Sequence, residues 1–426
     1  MIKLDKDRLI KICDRSIEVA FYVLFFCLPF SIALIEISAS VIILAWILKR
    51  IFSPRVIKAN FIGQIKKFNP VPSYLNIPIL VFILANLFSV IFSSNFALSL
   101  RNFGSKTMEY ILLYFIAVEF LRDKRILKNA IIALLVSALM ISLDCVFQYF
   151  FGFDLLRNRS LEAHRVTASF VMPGDLAGYL GVILCLILSL SFLKIRTGWR
   201  IFLRAESIFL LLLLMATLAR GAWLGFIIGL CFLTMLENRK ILYITVIFFF
   251  ILSLAMRYFI KTPHDVFSHL RSMIELGDFS SLDRKAVWTA ALAMIQDRPL
   301  FGHGLSTFMG NFAAYAQDYP LLKYGIIPYA HNCYLQIAAE TGLVGLVSFL
   351  LLIWTFLIHT IGSLFRIKNK FEHTVLSGVS AGIIVTLVHS FVDTNLYSLQ
   401  LSVLFWLMLA VNSALQGNVV FRKAGI

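Results

Sequence analysis

The sequence contains little charge for its length. Asp, Glu, Lys and Arg make up 15% of the 426 residues, whereas soluble proteins carry about 25%. Hydrophobic residues make up 60% of the chain, and 40 residues are phenylalanine. A helix that crosses a bilayer needs about 20 apolar residues, so this content is enough for about twelve such helices. The composition excludes a secreted enzyme, a cytosolic enzyme and a disordered chain, and it predicts an all-α polytopic membrane protein.

Cysteine pairs and closely spaced carboxylates are also scarce. Most of the six cysteines lie inside apolar runs, and no Cys-x-x-Cys spacing occurs, which argues against a disulfide framework or a structural zinc site. Carboxylates in the Asp-x-Asp spacing occur at Asp5 and Asp7, within the basic N-terminal segment. We therefore predict neither a metal site nor a cofactor.

Apolar runs of span length predict about twelve transmembrane helices, which divide the chain into three parts. Residues 1–260 are predicted to form an N-terminal bundle of about nine spans, the last of them at Ile241–Ile260. Residues 261–342 are predicted to form a helical loop outside the membrane. Residues 343–426 are predicted to contain the remaining spans, about three in number.

Lys and Arg are distributed unequally between the two sides of these spans. The side that holds the N-terminus carries 26 of them, and the opposite side carries 13, of which 7 lie between Arg257 and Lys323, in the long loop and at its edge. Cytoplasmic segments are the basic ones, and long loops cross largely regardless of charge. We therefore expect cytoplasmic termini and a periplasmic loop. The net charge of +16 then reflects topology and contact with lipid headgroups, not nucleic acid as a partner.

Three arginines and one histidine stand out among the residues predicted on the outer side. Arg220 lies in a short turn between two spans, where apolar neighbours make a charge costly and favour a functional role. Arg165 precedes a span, Arg284 lies near the start of a loop helix, and His331 opens a second loop helix that ends at Gly342. These residues are the candidates for the chemistry.

The stretches that contain these residues share a pattern. They are His331-Asn332…Leu335-Gln336…Glu340-Thr341-Gly342…Gly345; Arg284…Trp288…Ala291…Asp297-Arg298-Pro299-Leu300-Phe301-Gly302-His303-Gly304; Leu218-Ala219-Arg220-Gly221-Ala222; and Arg165-Val166-Thr167-Ala168-Ser169-Phe170 followed by Pro173-Gly174-Asp175-Leu176-Ala177. Together they resemble the O-antigen ligase / polymerase superfamily. Two positions depart from the family pattern: Ala219 stands where Ser is more frequent, and Gly174 replaces the usual Asn.

The resemblance implies a fold similar to C-type glycosyltransferases and the activity of an O-antigen ligase. The implied donor is a glycan on undecaprenyl diphosphate, and the implied acceptor is the lipid A–core of lipopolysaccharide. The transfer would be metal-independent and inverting, and it would take place on the periplasmic face of the bacterial inner membrane.

The residue types suit that chemistry. Negative charge grows on the departing diphosphate, and a guanidinium stays charged and binds phosphate oxygens in pairs. We therefore expect Arg220 and Arg284 to be catalytic and Arg165 to bind substrate. The imidazole of His331 suits a general base for the acceptor hydroxyl, and a helix start near arginines favours its neutral form. Asn332 beside it is expected to bind substrate.

Other functions remain open from the sequence. An O-antigen polymerase or a protein O-oligosaccharyltransferase would use the same lipid-linked donor. A transporter would place paired ionisable groups at mid-membrane and often shows repeated halves. The candidates for such groups, Glu36, Asp144 and Asp175, have no evident pairing, and no repeat is detectable. A purely structural scaffold leaves Arg220 unexplained. The enzyme interpretation is therefore favoured.

Overall fold

A computed structural model describes residues 6–53, 71–162, 165–237, 279–317, 319 and 328–424. Helices dominate these residues, and the only β-type pairing among them consists of two isolated bridges. The helices are α1 (Lys6–Cys27), α2 (Ile32–Phe52), α3 (Asn76–Ile91), α4 (Phe96–Asn102), a π-helix (Phe103–Met108), α5 (Glu109–Phe120), α6 (Lys124–Phe151), α7 (Pro173–Leu190), α8 (Thr197–Ala216), α9 (Arg220–Glu237), α10 (Phe279–Asp297), α11 (Phe308–Tyr315), α12 (Cys333–Leu364), α13 (Lys370–His389), a 3-10 turn (Asn395–Tyr397) and α14 (Leu399–Ala424). The all-α prediction is confirmed for this part of the chain.

Six of these helices are long and apolar enough to cross a membrane: α2, α6, α7, α12, α13 and the part of α14 up to Gly417. Two shorter apolar helices, Asn76–Ile91 and Arg220–Leu236, accompany them. The chain is therefore a multi-pass membrane protein. The ninth predicted span, Ile241–Ile260, lies outside the described residues, and the total of twelve spans stays a prediction.

Polar side chains set the starts of several helices. Asp123 accepts hydrogen bonds from the backbone amides at the start of α6, and Asn369 does the same for α13. Such caps satisfy amide groups that have no partner within the helix. The first two helices separate around Pro29, because α1 ends at Cys27 and the Ser31 hydroxyl caps α2.

The centre of the bundle is formed by α7, α9 and α13. Glycines allow α9 to approach α13 closely, since a Cβ at Gly225 would lie 2.7 Å from the carbonyl oxygen of Val385. A Cβ at Gly229 would lie 2.9 Å from the carbonyl oxygen of Ala381. Close contact between backbones is a common means of association for helices in lipid, where the hydrophobic effect does not drive them together.

The helices α10 and α11 form a lid with its own small core, in which Val287, Met294, Phe308 and Phe312 are buried. Phe301 connects the lid to α3 by packing, since its ring stacks on Phe88 and Phe92 at centroid distances of 5.5 and 4.9 Å. The segment between α10 and α11, residues 298–307, is called the lid turn. The hydroxyls of Ser93, Ser94 and Ser99 donate hydrogen bonds to its backbone carbonyls. The lid is thus fixed to the C-terminal end of α3.

A break in α12 joins the lid to the membrane. Gly342 has φ 68° and ψ −176° in the middle of the helix, a conformation that is essentially restricted to glycine. The break frees the carbonyls of Ala339 and Glu340, which accept hydrogen bonds from the amides of His303 and Gly304. The lid turn therefore pairs with the helix at the point where the sequence placed the end of the loop.

Candidate functional site

A cavity of about 520 Å³ opens where the lid meets the bundle. Its walls come from the loop before α7, the turn between α8 and α9, the start of α10, the segment before α12 and the end of α13. Four of the five predicted site residues line it: Arg165, Arg220, Arg284 and His331. The structure therefore brings together residues that lie far apart in the sequence.

Arg165 connects two walls of the cavity. Its Nε donates a hydrogen bond of 2.7 Å to the carbonyl oxygen of Thr217, in the turn that leads to Arg220. Burial lowers the pKa of Arg165 from its usual value, although a guanidinium stays charged at physiological pH. The contact holds the Arg165 loop and the Arg220 turn in one place, so that both side chains face the same space.

The backbone adds further positive character to the cavity. The N-termini of α7 and α9 both lie at its wall, at Pro173 and Arg220. Helix N-termini carry unpaired amides and a partial positive charge, which makes them suitable for phosphate. Leu218, two residues before α9, has a φ of 54° and lines the cavity. The turn is thus bent sharply so that α9 begins at the cavity.

His331 lies in the wall of the same cavity with 45% of its side chain exposed. Its Nδ1 is 3.9 Å from Oδ1 of Asp393, which leaves Nε2 as the nitrogen available to a substrate. Asp393 also lies close to a second histidine, since its Oδ2 is 3.5 Å from Nε2 of His389. Asp393 therefore stands between two imidazoles.

The environment keeps Asp393 negatively charged. Burial alone would raise the pKa of its carboxyl, but the neighbouring imidazoles of His331 and His389 hold that pKa well below its usual range. Gly174 makes room for this carboxylate, because a Cβ there would lie 2.5 Å from Oδ2 of Asp393. The glycine that replaces the usual Asn in the sequence pattern thus has a steric reason.

Asn332 has a different position from the other predicted residues. Its side-chain oxygen accepts hydrogen bonds from the amides of Tyr334 and Leu335, at 2.9 and 3.0 Å. This is an N-cap of α12, and Asn332 is not among the residues that line the cavity. In this structure it positions the helix behind His331, and contact with a substrate stays a prediction.

Several cavity residues were not selected from the sequence. His389 and Asp393 are four residues apart at a helix end, a spacing typical of a structural pair, and nothing in the sequence connects them to His331. Tyr329, Tyr397 and Asp175 also line the cavity. Asp175 could have been found from its place in the first turn of α7, whereas nothing in the sequence around Tyr329 or Tyr397 marks them.

The arrangement suits an anion beside a general base. Three guanidiniums and two helix N-termini face one space, and an exposed imidazole backed by a carboxylate faces the same space. Among the described residues, no group of three or more His, Cys, Asp or Glu side chains has the geometry to hold a metal ion.

Residues 205–350 match the family model described as O-antigen ligase. The matched region contains Arg220, Arg284 and His331, while Arg165 and Asp393 lie outside it. A search of curated proteins finds no match to the chain.

Proposed function

The chain belongs to the O-antigen ligase family through residues 205–350, and from this premise we propose that it transfers an O-antigen glycan from undecaprenyl diphosphate to lipid A–core. The proposed site is the cavity that contains His331 and the arginines, on the periplasmic face of the inner membrane. The family description supports a lipid-linked glycan as donor, and the choice of lipid A–core as acceptor is our proposal.

One observation carries the proposal: Arg165, Arg220 and Arg284 line the same cavity as His331. A diphosphate that leaves as a dianionic or trianionic group needs cationic partners that are already in place. Guanidiniums provide pairs of N–H donors for phosphate oxygens, and helix N-termini provide backbone amides. The cavity offers both, next to a group that can accept a proton.

The proposed reaction is an inverting displacement. The acceptor hydroxyl forms a new bond to the anomeric carbon, on the face opposite the diphosphate. The bond between that carbon and the diphosphate oxygen breaks, and the bonding electrons leave with undecaprenyl diphosphate. The hydroxyl proton passes to Nε2 of His331. The arginines stabilise the charge that develops on the leaving oxygen.

Asp393 has a positioning role in this scheme. Its carboxylate lies 3.9 Å from Nδ1 of His331, so it orients the ring and stabilises the imidazolium that forms when Nε2 takes the proton. The same arrangement of carboxylate, imidazole and hydroxyl operates in catalytic triads.

A reconstituted reaction tests the acceptor. Purified protein in liposomes receives a glycan on undecaprenyl diphosphate together with lipid A–core, a second lipid-linked glycan or a pilin-like protein in separate reactions. We expect a glycosylated product with lipid A–core alone. Elongation of the lipid-linked glycan would identify a polymerase, and a glycosylated protein would identify an oligosaccharyltransferase. Either result, or no transfer in any reaction, would overturn the proposal.

A further inference from the structure

A second cavity of about 120 Å³ lies next to the first. Tyr397 lines both cavities and therefore forms the wall between them. Its hydroxyl donates a hydrogen bond of 3.2 Å to Glu340, whose other oxygen accepts from Gln336. The second cavity is thus one side chain away from the proposed site of reaction, and no residue of it was used in the mechanism above.

The mouth of the second cavity is polar and carries a cation. Asn102, Lys106 and Thr107 line it, and the last two belong to the π-helix Phe103–Met108. Single π-helical turns occur frequently at functional sites. The exposed Lys106 places an ammonium group at the entrance, so the mouth suits an anionic substituent.

The interior of the second cavity is aromatic. Phe82, Phe349 and Trp406 line it, and the ring of Phe82 lies 6.1 Å from that of Phe349 and 6.4 Å from that of Trp406. Phe82 lies nine residues before the C-terminal end of α3 at Ile91, which corresponds to a depth of about 14 Å at 1.5 Å per residue. A polar mouth above an apolar interior suits an amphipathic ligand, with its polar group outside and its chain inside.

The donor does not need the second cavity. Its diphosphate suits the arginine cavity, where Val171 and Met172 line one edge and are 51% and 53% exposed. These apolar side chains offer the polyprenyl chain a direct route from the diphosphate to the bilayer. The second cavity is therefore left for the other substrate.

The lid covers the second cavity. Leu305 and Ser306 line it from above, and the carboxylate of Glu340 accepts hydrogen bonds from the amides of Ser306 and Phe308, at 2.9 and 3.4 Å. The hydrogen bond from Tyr397 to the same carboxylate joins this roof to the dividing wall. A ligand under the lid would thus be held against Tyr397, next to the cavity that contains His331.

We propose that the second cavity is the binding site of the acceptor glycolipid, with the anionic group of that lipid at its mouth. Lys106 binds its anionic group, the aromatic interior receives part of its apolar chain, and its sugar passes Tyr397 to reach His331. This inference rests on the proposed glycan transfer. It assigns the two substrates to opposite sides of Tyr397.

Initial-rate kinetics with each substrate varied in turn test the assignment. We expect Lys106→Gln to raise the KM for the acceptor by about tenfold, because a hydrogen-bonded charge is lost, and to leave the KM for the donor unchanged. Arg101→Gln is the matched control, since it removes an exposed cation next to the π-helix that does not line the cavity. It should leave both KM values unchanged.

A second variant fills the cavity without removing charge. Thr107→Trp places a large ring at the mouth, and it should raise the KM for the acceptor at least as much as Lys106→Gln, with a thermal midpoint close to that of the parent. If the parent transfers glycan but both variants keep the parental KM for the acceptor, the assignment is wrong while the transferase function stands. If only the KM for the donor were raised, the second cavity would be a binding site for the donor, and the assignment would be wrong. A parent without transfer would instead reject the proposed function.

Discussion

Backbone strain at single residues gathers around the two cavities. Of the five non-glycine residues with positive φ among those described, Leu218 and His331 line the first cavity and Ser306 lines the second. Such conformations cost about 1–3 kcal/mol each and persist only where surrounding contacts fix them. For His331, whose φ is 47°, hydrogen bonds from the amides of Ala330 and Cys333 to Gln336 and Ser390 provide that support.

Replacement of His331 by Gln tests the general base. Glutamine is polar and of similar size but cannot take up the proton, so we expect kcat to fall by about 10²- to 10⁴-fold. The measurement is the initial rate of glycan transfer in liposomes at saturating concentrations of both substrates. Equal amounts of the variant and the parent protein in the membrane are the control for folding. A rate within twofold of the parent would remove His331 from the mechanism.

Replacement of Arg220 or Arg284 by Lys tests diphosphate binding. Lysine keeps the charge but not the planar pair of donors, so we expect kcat/KM for the donor to fall by about tenfold or more, as when a charged hydrogen bond is lost. Arg101→Lys, outside the cavity, is the matched control and should keep the parental value. If both cavity variants kept the kcat/KM of the parent protein for the donor, the guanidiniums would not hold the phosphates.

Replacement of Asp393 by Asn tests the positioning of the imidazole. The amide keeps the size but removes the charge that stabilises the imidazolium, so we expect kcat to fall by about 10²-fold, as for small misplacements of a reacting group. The KM values for donor and acceptor should change little, because Asp393 supports the base and does not hold either substrate. A change in KM alone, with kcat preserved, would assign Asp393 to substrate binding instead.

The sequence identified the charged candidates for the site, but not the residues that position them or separate the two cavities. Arg165, Arg220 and Arg284 are visible because they lie on the predicted outer side in stretches that resemble the family pattern, and His331 is visible because it opens a helix in such a stretch. Asp393 could not be connected to His331, since their contact depends on how α12 packs beside α13. Tyr397 looks like any aromatic residue near a membrane surface until the two cavities are known.

At the scale of helices, the junction between lid and bundle depends on one glycine. Gly342 interrupts α12 in a conformation that other residues avoid, and a Cβ there would lie 2.1 Å from the carbonyl oxygen of Leu300. The amide of Leu343 donates a hydrogen bond of 2.7 Å to Pro299 just beyond the break. The lid turn therefore occupies the space that a side chain at position 342 would need.

The variant Gly342→Ala tests this junction. We expect a loss of stability of about 3 kcal/mol, because the conformation is strained for alanine and the lid turn must move. The measurement is the thermal midpoint in detergent, together with proteolysis of the lid. Gly310→Ala is the matched control, since Gly310 is an exposed helical glycine with no atom near its Cβ position. That control should be as stable as the parent or slightly more stable. Equal stability of both variants would contradict the structural role of Gly342.

Helices were predictable from the sequence and their irregularities were not. Apolar runs locate the spans because lipid requires every backbone group to be paired within the helix, and six of the described helices are long and apolar enough to cross a membrane. The π-helix at Phe103–Met108, which packs against α3, has no such signal in the sequence. The same holds for the second cavity, whose mouth the π-helix forms.

At the scale of the whole molecule, the proposed reaction depends on the side of the membrane that the cavities face. The arginine cavity combines Arg165 before α7 with Asp393 after α13, so the orientation of the entire bundle determines where the chemistry takes place. Basic residues favour cytoplasmic termini by 26 to 13, and this places both cavities and the lid on the periplasmic side. That orientation stays a prediction until it is measured.

Labelling of single cysteines tests the orientation. Five of the six native cysteines are buried and Cys231 is partly exposed, so a Cys231→Ser background should react little with a membrane-impermeant maleimide. In that background, Lys285→Cys on the lid helix should react in intact spheroplasts, because position 285 is exposed and is predicted to lie on the periplasmic side of the membrane. Lys368→Cys, exposed between α12 and α13, is the matched control for the cytoplasmic side and should react only after permeabilisation. The reverse pattern would place the arginine cavity in the cytoplasm, where a periplasmic transfer to lipid A–core could not occur.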